Sequence, residues 1–249
     1  MITAKAFAGK KYAVYGLARS GLASAAALIA SGAEVTAWDA KEEARANAPA
    51  GVRIENLDEA DLSGFDSLVV TPGLPLNRHP IAQRARDAGV EIIGDIELFA
   101  RARPELPPHK VVGITGTNGK STTTALVHHI LKTAGVPTTM GGNIGLPILA
   151  QDPLPEGGVY VLELSSYQLD LTQSLGRRQP GARQAVDRIM LAGEGLGRDH
   201  LSLRVLRPAS ASTKLMIQKR MTTVGSDQPT CSKWWWIGAI RKTRLPVRL

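Results

Sequence analysis

The chain has 249 residues, 43% of them hydrophobic, a single cysteine at Cys231, and a formal net charge of +8. That length admits one large domain or two small ones, and a lone cysteine excludes an internal disulfide framework and fits the cytoplasm. No run of 18 apolar residues suggests a membrane span, and Met1 to Lys11 lacks the apolar core of a signal peptide.

Residues 1–102 alternate strand and helix patterns, which points to an α/β unit with a parallel sheet. Lys11 to Tyr15 reads as a short strand ending in Gly16-Leu-Ala-Arg-Ser-Gly21. An alanine-rich helix over Ser20 to Ser31 stops at Gly32, and a second strand runs from Glu34 to Trp38 and closes on Asp39. This resembles a dinucleotide fold with an acid about 20 residues on, although the middle glycine of the fingerprint is Ala18. A phosphate-bearing ligand is expected there, and NAD is one candidate.

Leu68 to Thr71 reads as a third strand, followed by Pro72-Gly73-Leu-Pro75. Ligands of open α/β sheets sit at strand C-termini, so Thr71 and Gly73 either line a site or form a plain turn of Pro and Gly. Ile81 to Ala88 continues as a helix, Val90 to Ile93 as a strand, and Asp95 to Arg101 as a helix capped by Asp95. Pro104-Glu-Leu-Pro-Pro108 then reads as a stiff linker between domains.

The second unit centres on Gly113-Ile-Thr-Gly-Thr-Asn-Gly-Lys-Ser-Thr122, placed between an apolar strand and a helical pattern. Such a loop presents backbone N–H groups and a helix N-terminus to phosphate. Lys120 would reach the β- and γ-phosphates of ATP or GTP, and the Ser121 hydroxyl would ligate Mg²⁺. The strict loop pattern has glycine where this chain has Ile114. The bland alternative is an ordinary helix start capped by Ser121 or Thr122. His128 and His129 follow on the helix, where adjacent residues lie about 100° apart and make a poor metal pair. Val159 to Glu163 is an apolar run ending in an acid, either a metal-holding carboxylate beside the phosphate loop or a solvated strand end.

Beyond Gly176 the pattern breaks. Residues 177–249 hold fifteen Lys and Arg against four Asp and Glu, whereas residues 1–176 hold fifteen against eighteen. The tail also carries Trp234, Trp235 and Trp236 and shows no sustained period. It reads as a nucleic-acid-binding segment, a disordered extension or, preferred here, the out-of-frame translation of a GC-rich gene.

Six stretches, taken together, resemble the Mur ligase family of bacterial cell-wall synthesis. They are Tyr15-Gly-Leu-Ala-Arg-Ser-Gly21, Thr71-Pro-Gly-Leu-Pro75, Gly94-Asp-Ile-Glu-Leu-Phe99, Gly113 to Ser121, Gly141-Gly-Asn-Ile-Gly-Leu-Pro147 and Glu163-Leu-Ser-Ser-Tyr-Gln-Leu169. The resemblance covers about residues 5–175. It implies an α/β protein with a Rossmann-like UDP-sugar domain over 1–102, a linker over 103–109 and an incomplete P-loop ATPase domain over 110–176. Residues 177–249 form an atypical basic tail, non-native or disordered.

The implied reaction adds D-glutamate to UDP-N-acetylmuramoyl-L-alanine in peptidoglycan synthesis, with ATP and Mg²⁺ and an acyl phosphate on the way. By motif position, Gly116, Thr117, Asn118, Gly119, Lys120, Ser121 and Thr122 would bind ATP, and Ser121 and Glu163 would hold metal. Leu17, Ala18, Asp39, Thr71, Gly73, Asn143 and Ser165 would bind the UDP-sugar, and Lys120, Asn143 and Glu163 would be catalytic. The family's N-[IV]-[ST]-P-D-H-L-D stretch and later carbamylated lysine have no match here, Asp199-His200-Leu201 being only an echo, and a third domain is expected but does not follow. The chain as written is therefore expected to be an inactive ligase, or else a non-catalytic nucleotide-binding module. A cytoplasmic monomer without a nucleic-acid partner is expected.

Overall fold

The computed structural model describes residues 1–175 and four strands beyond them, Arg188–Ala192, Leu203–Leu206, Ser212–Gln218 and Trp234–Arg241. The chain divides into two compact units, Met1–Ala192 and Gly193–Leu249.

The first unit opens with a five-stranded sheet of β1 (Lys11–Tyr15), β2 (Glu34–Trp38), β3 (Arg53–Ile54), β4 (Ser67–Val70) and β5 (Glu91–Ile93), in the order β3-β2-β1-β4-β5. All pairings are parallel. The order reverses between β1 and β4, the place in open α/β sheets where ligands bind outside the C-terminal ends of the strands. Between strands run α1 (Arg19–Ala30), α2 (Glu42–Ala46), α3 (Pro80–Asp87) and, after β5, α4 (Asp95–Ala102). Every residue of β4 is buried, as expected of a strand covered on both faces. On α1 the buried face is Gly21, Ala23, Ser24, Ala25, Ala27 and Leu28, small residues that bring the helix close to the sheet. α3 starts with Pro80 at its first position, and the His79 side chain accepts a hydrogen bond from Ile81 N.

A second parallel sheet follows: β6 (His109–Gly116), α5 (Lys120–Thr133), β7 (Thr138–Gly142), β8 (Gly158–Glu163), α6 (Ser166–Asp170) and β9 (Arg188–Ala192), ordered β7-β8-β6-β9. The sheet extends beyond the ATPase domain expected over residues 110–176. Residues from beyond the break in pattern add a strand, with Val112 opposite Arg188 and Gly116 opposite Ala192.

One continuous core runs under both sheets. Tyr12, Val14, Leu28 and Val69 from the first share a cluster with Phe99, Val111, Tyr160, Leu162 and Leu175. Polar groups reinforce the join. Glu97, 1% exposed, accepts hydrogen bonds from Gln173 N, Ser174 N and Ser174 Oγ at 2.7, 2.9 and 2.8 Å, and from Arg101 Nε at 3.0 Å. Buried Arg103 donates to Leu175 O at 3.1 Å and through Nε to His109 Nε2 at 3.0 Å. A guanidinium cannot accept, so the His109 proton sits on Nδ1, facing Pro107 O at 2.8 Å. The proline-bearing segment is thus pinned at both ends, beginning as a 3₁₀ turn over Arg103–Glu105.

The second unit holds an antiparallel sheet of β10 (Leu203–Leu206), β11 (Ser212–Gln218) and β12 (Trp234–Arg241), in that order, with an irregularity between Lys214 and Leu215. The expectations of disorder, a shifted frame or nucleic-acid binding concern residues 177–249, and apart from these strands they lie outside the described residues, as does the Asp199-His200 echo. Among the described residues no helix is long and apolar enough to cross a membrane.

Candidate functional site

At the end of β1 the chain turns through Gly16, at φ +95°, into α1. Gly21 explains the spacing of the loop. A Cβ there would lie 1.8 Å from Gly16 O, so the first turn of α1 packs directly on the loop's own backbone. Asp39, at the end of β2, accepts from Leu17 N at 2.7 Å through Oδ2 and from Lys41 N at 2.9 Å through Oδ1. Thr71 lies against Gly16, where a Cβ would meet Thr71 Oγ1 at 2.4 Å. Leu17, Ala18, Asp39 and Thr71 therefore converge at the C-terminal ends of β1, β2 and β4. Leu17 is 1% exposed and its side chain packs in the core, whereas Ala18 and Gly73 are exposed.

β6 leads into the phosphate loop in the same way. Gly119 caps α5 in a left-handed conformation, φ +76°, and nothing stands where its Cβ would be. Thr117, Asn118, Gly119, Ser121 and Thr122 are exposed, with Gly116 and Lys120 half-buried. The Lys120 ammonium turns back over the loop, donating to Gly116 O at 2.7 Å and Thr117 O at 3.2 Å. This holds a positive charge at the place where a bound anion would sit.

Glu163 ends β8 and lies opposite Ile114 of β6 and Gly142 of β7. It is 2% exposed, and its Oε2 has no hydrogen-bond partner. Asn143 donates from Nδ2 to Glu163 Oε1 at 3.2 Å and from its backbone N to Glu163 O at 2.8 Å. So close an approach demands Gly142, whose Cβ would lie 2.2 Å from Glu163 O at φ +88°. Ser165 caps α6 in a reciprocal capping box with Gln168.

Both loops lie within the one unit, and Arg19 of α1 donates from Nη2 to Gly145 O in the loop after β7. A buried carboxylate oxygen with no partner carries a desolvation cost that a cation would relieve. With the Ser121 hydroxyl on α5 and the Glu163 carboxylate at the end of β8, the oxygen donors suit Mg²⁺, which uses one or two carboxylates plus phosphate oxygens. The loop and Lys120 likewise suit the polyphosphate of ATP. No group of three or more His, Cys, Asp or Glu side chains able to hold a metal occurs among the described residues. His128 instead faces the Thr138 hydroxyl at 3.4 Å, and burial holds its pKa below the usual value.

Sequence reasoning missed several groups. Arg45 lies 4.5 Å over the Trp38 ring and donates to Asp39 O at 2.7 Å, so it braces the acid from behind. Asp95 is the first residue of α4 rather than its cap, which is Gly94, and it reaches Gln168. An arginine seven residues past an aromatic strand end is a visible signal for the first. The second pairing spans 73 residues and has none.

The sequence matches the model of the Mur ligase MurD-like N-terminal domain over residues 10–94 and that of the Mur ligase middle domain over residues 114–180. It is 69% identical over 175 residues to UDP-N-acetylmuramoylalanine--D-glutamate ligase of Novosphingobium aromaticivorans, covering 70% of this chain and 40% of that protein. It is 70% identical over 176 residues to the protein of the same name from Sphingopyxis alaskensis, covering 70% of this chain and 41% of that one. The chain thus spans about two fifths of the length of these relatives. Among solved structures, UDP-N-acetylmuramate:L-alanyl-gamma-D-glutamyl-meso-diaminopimelate ligase from Neisseria meningitides is similar at a TM-score of 0.39, with 22% identity over 62% of this chain and 52% of that one.

Proposed function

The chain belongs to the Mur ligase family, and from that premise we propose that it carries the sugar-nucleotide and ATP-handling part of an ATP-dependent ligase that adds D-glutamate to UDP-N-acetylmuramoyl-L-alanine. The observation that carries this reading is the buried, unpartnered Glu163 Oε2 beside a phosphate loop whose lysine is held over the anion position. Residues 1–102 take the sugar nucleotide, residues 110–176 take ATP, and residues 103–109 join them. Glu163 and Ser121 hold Mg²⁺, which when bound offsets the charge of the phosphates.

The chemistry follows from the substrate. A carboxylate is a poor electrophile, so its oxygen first takes the γ-phosphoryl group of ATP, with ADP leaving. The amine of D-glutamate then attacks the acyl carbon, and phosphate leaves as the amide forms. Lys120 exchanges its two carbonyl partners for phosphate oxygens and stabilises the charge of the transferring group. Asn143 holds Glu163 in place, and Asn143 and Ser165 present polar groups to the reacting end of the sugar nucleotide. Asp39 orders the glycine loop through Leu17 N and faces the uracil end, with Thr71 and Gly73 along the same cleft.

Residues 10–94 and 114–180, the matched stretches, carry this reading, and residues 181–249 take no part in it. Calorimetry on the full chain tests the proposal. UDP-N-acetylmuramoyl-L-alanine and Mg·ATP should each bind, and K120A should weaken ATP by about a hundredfold while leaving the sugar nucleotide within about twofold. Failure of wild-type protein to bind either ligand would overturn the reading. Phosphate release that depends on D-glutamate would replace binding alone with full ligase activity.

A further inference from the structure

Among the described residues, two buried carboxylates have an oxygen without a hydrogen-bond partner, Glu163 and Asp95. The phosphate loop accounts for the first. Asp95, 3% exposed, lies away from that loop at the start of α4. Its Oδ1 accepts from Ile96 N at 3.0 Å and from Gln168 Nε2 at 3.2 Å. Its Oδ2 makes no hydrogen bond, although the Ser20 hydroxyl, in the first turn of α1, lies near enough to bear on its charge.

Gln168 is 1% exposed and has no freedom in this setting. Its Oε1 accepts from Ser165 N at 3.1 Å and Ser165 Oγ at 3.2 Å, while Gln168 N donates to Ser165 Oγ at 3.2 Å. An amide turned end for end would set Nε2 against the Ser165 N–H and leave its oxygen facing Asp95. The Ser165 N–H and the acceptor at Asp95 Oδ1 therefore select the orientation together. In that orientation the Ser165 proton points inward, and the hydroxyl offers the cleft an oxygen acceptor rather than a donor.

We propose that Asp95, acting through Gln168, is a positioning residue that fixes how the Ser165 hydroxyl faces the sugar-nucleotide cleft and ties that loop to the first turn of α1. The proposal rests on the reading of Ser165 as part of the sugar-nucleotide site. Burial pushes the Asp95 carboxyl above its usual range. An asparagine keeps the Oδ1 acceptor toward Ile96 N and Gln168 and sets its amide nitrogen where Oδ2 lies, on the side of Ser20.

Four variants of the full chain test it: D95N, D95A, Q168E and D95N/Q168E, each measured for sugar-nucleotide affinity, Mg·ATP affinity and melting temperature. D95N should stay within about threefold of wild type for both ligands. D95A and Q168E should weaken the sugar nucleotide by about tenfold and leave ATP within about twofold. Adding D95N to Q168E should recover part of the loss, because the amide at position 95 can turn its nitrogen to the new carboxylate and its oxygen to Ser20, giving up only the Ile96 N–H contact. Should D95A fail to fold, the near-isosteric cycle of D95N and Q168E decides alone. Equal weakening of both ligands in Q168E, or no recovery in the double variant, would overturn the proposal. Wild-type binding of the sugar nucleotide that Q168E leaves unchanged would overturn it while sparing the functional reading. Absence of wild-type binding would overturn both.

Discussion

The glycine loop after β1 and the phosphate loop after β6 share one plan: parallel strand, glycine turn, helix. They differ in how far the protein satisfies its own polar groups. Around the first loop, Asp39 accepts two backbone N–H groups, Arg45 braces Asp39 from behind, and α1 buries six residues. Around the second, Lys120 bonds only loop carbonyls, Glu163 keeps a buried oxygen without a partner, and α5 buries only Thr124. Leu126 and Ile130 of α5 remain 42% and 47% exposed. The first loop is built for shape, and the second leaves charged groups short of partners, as the proposed ATP and Mg²⁺ site requires. A site that must release and rebind an anion and a cation cannot be fully satisfied without them.

Breaking the first loop should have the largest effect. G21A places a Cβ inside the contact distance of Gly16 O, and since backbone meets backbone there is no flexible side chain to yield. A loss of about 3 kcal/mol or more, read from urea unfolding, is expected. Stability within about 1 kcal/mol of wild type, on the scale of a tolerated surface change, would show that the loop is not rigid.

E163Q sharpens the contrast from the other side. Removing an uncompensated buried charge should stabilise the free protein by about 1 kcal/mol while weakening Mg²⁺-dependent ATP binding by about tenfold or more. A variant that loses both stability and binding would mean that Glu163 is structural. D39A should act in the opposite sense to E163Q, losing about 1 to 2 kcal/mol, because two backbone donors lose their acceptor. Thermal melting of the two variants side by side is the check.

The smallest expected effect concerns pH. The Arg101 guanidinium forks onto Glu91 at 2.6 and 2.9 Å and, with the Ser67 hydroxyl, holds the Glu91 carboxyl below its ordinary value of 4.5. A depressed folded-state pKa contributes stability above the unfolded value and loses it as pH falls through the folded one. The stability gap between wild type and E91Q should therefore be constant near neutrality and close progressively below about pH 4.5. Asp95 is shifted the other way by burial, so its ionisation should cost stability as pH rises past its ordinary value, and D95N should remove that slope.

Much of this was open to reading along the chain. The strands Lys11–Tyr15 and Glu34–Trp38 fall where their apolar runs predict, and helix α5 follows the phosphate loop and carries His128 and His129 as expected. Short elements escaped. β7 reads Thr-Thr-Met-Gly-Gly, with glycines that argue against a strand, and becomes one because β8 supplies a fully buried partner. α6 has five residues, too few to show a helical period.

The sequence by itself determined the alternation of strands and helices, the two glycine-bearing loops and the family, because period, turn chemistry and motif are properties of neighbouring residues. Only the tertiary structure decided that both sheets share one core, that Glu97 holds residues 173 and 174, and that Asp95 faces Gln168. Those pairings join residues more than 70 positions apart, and no local pattern encodes which buried acceptor will meet which donor once the chain has closed.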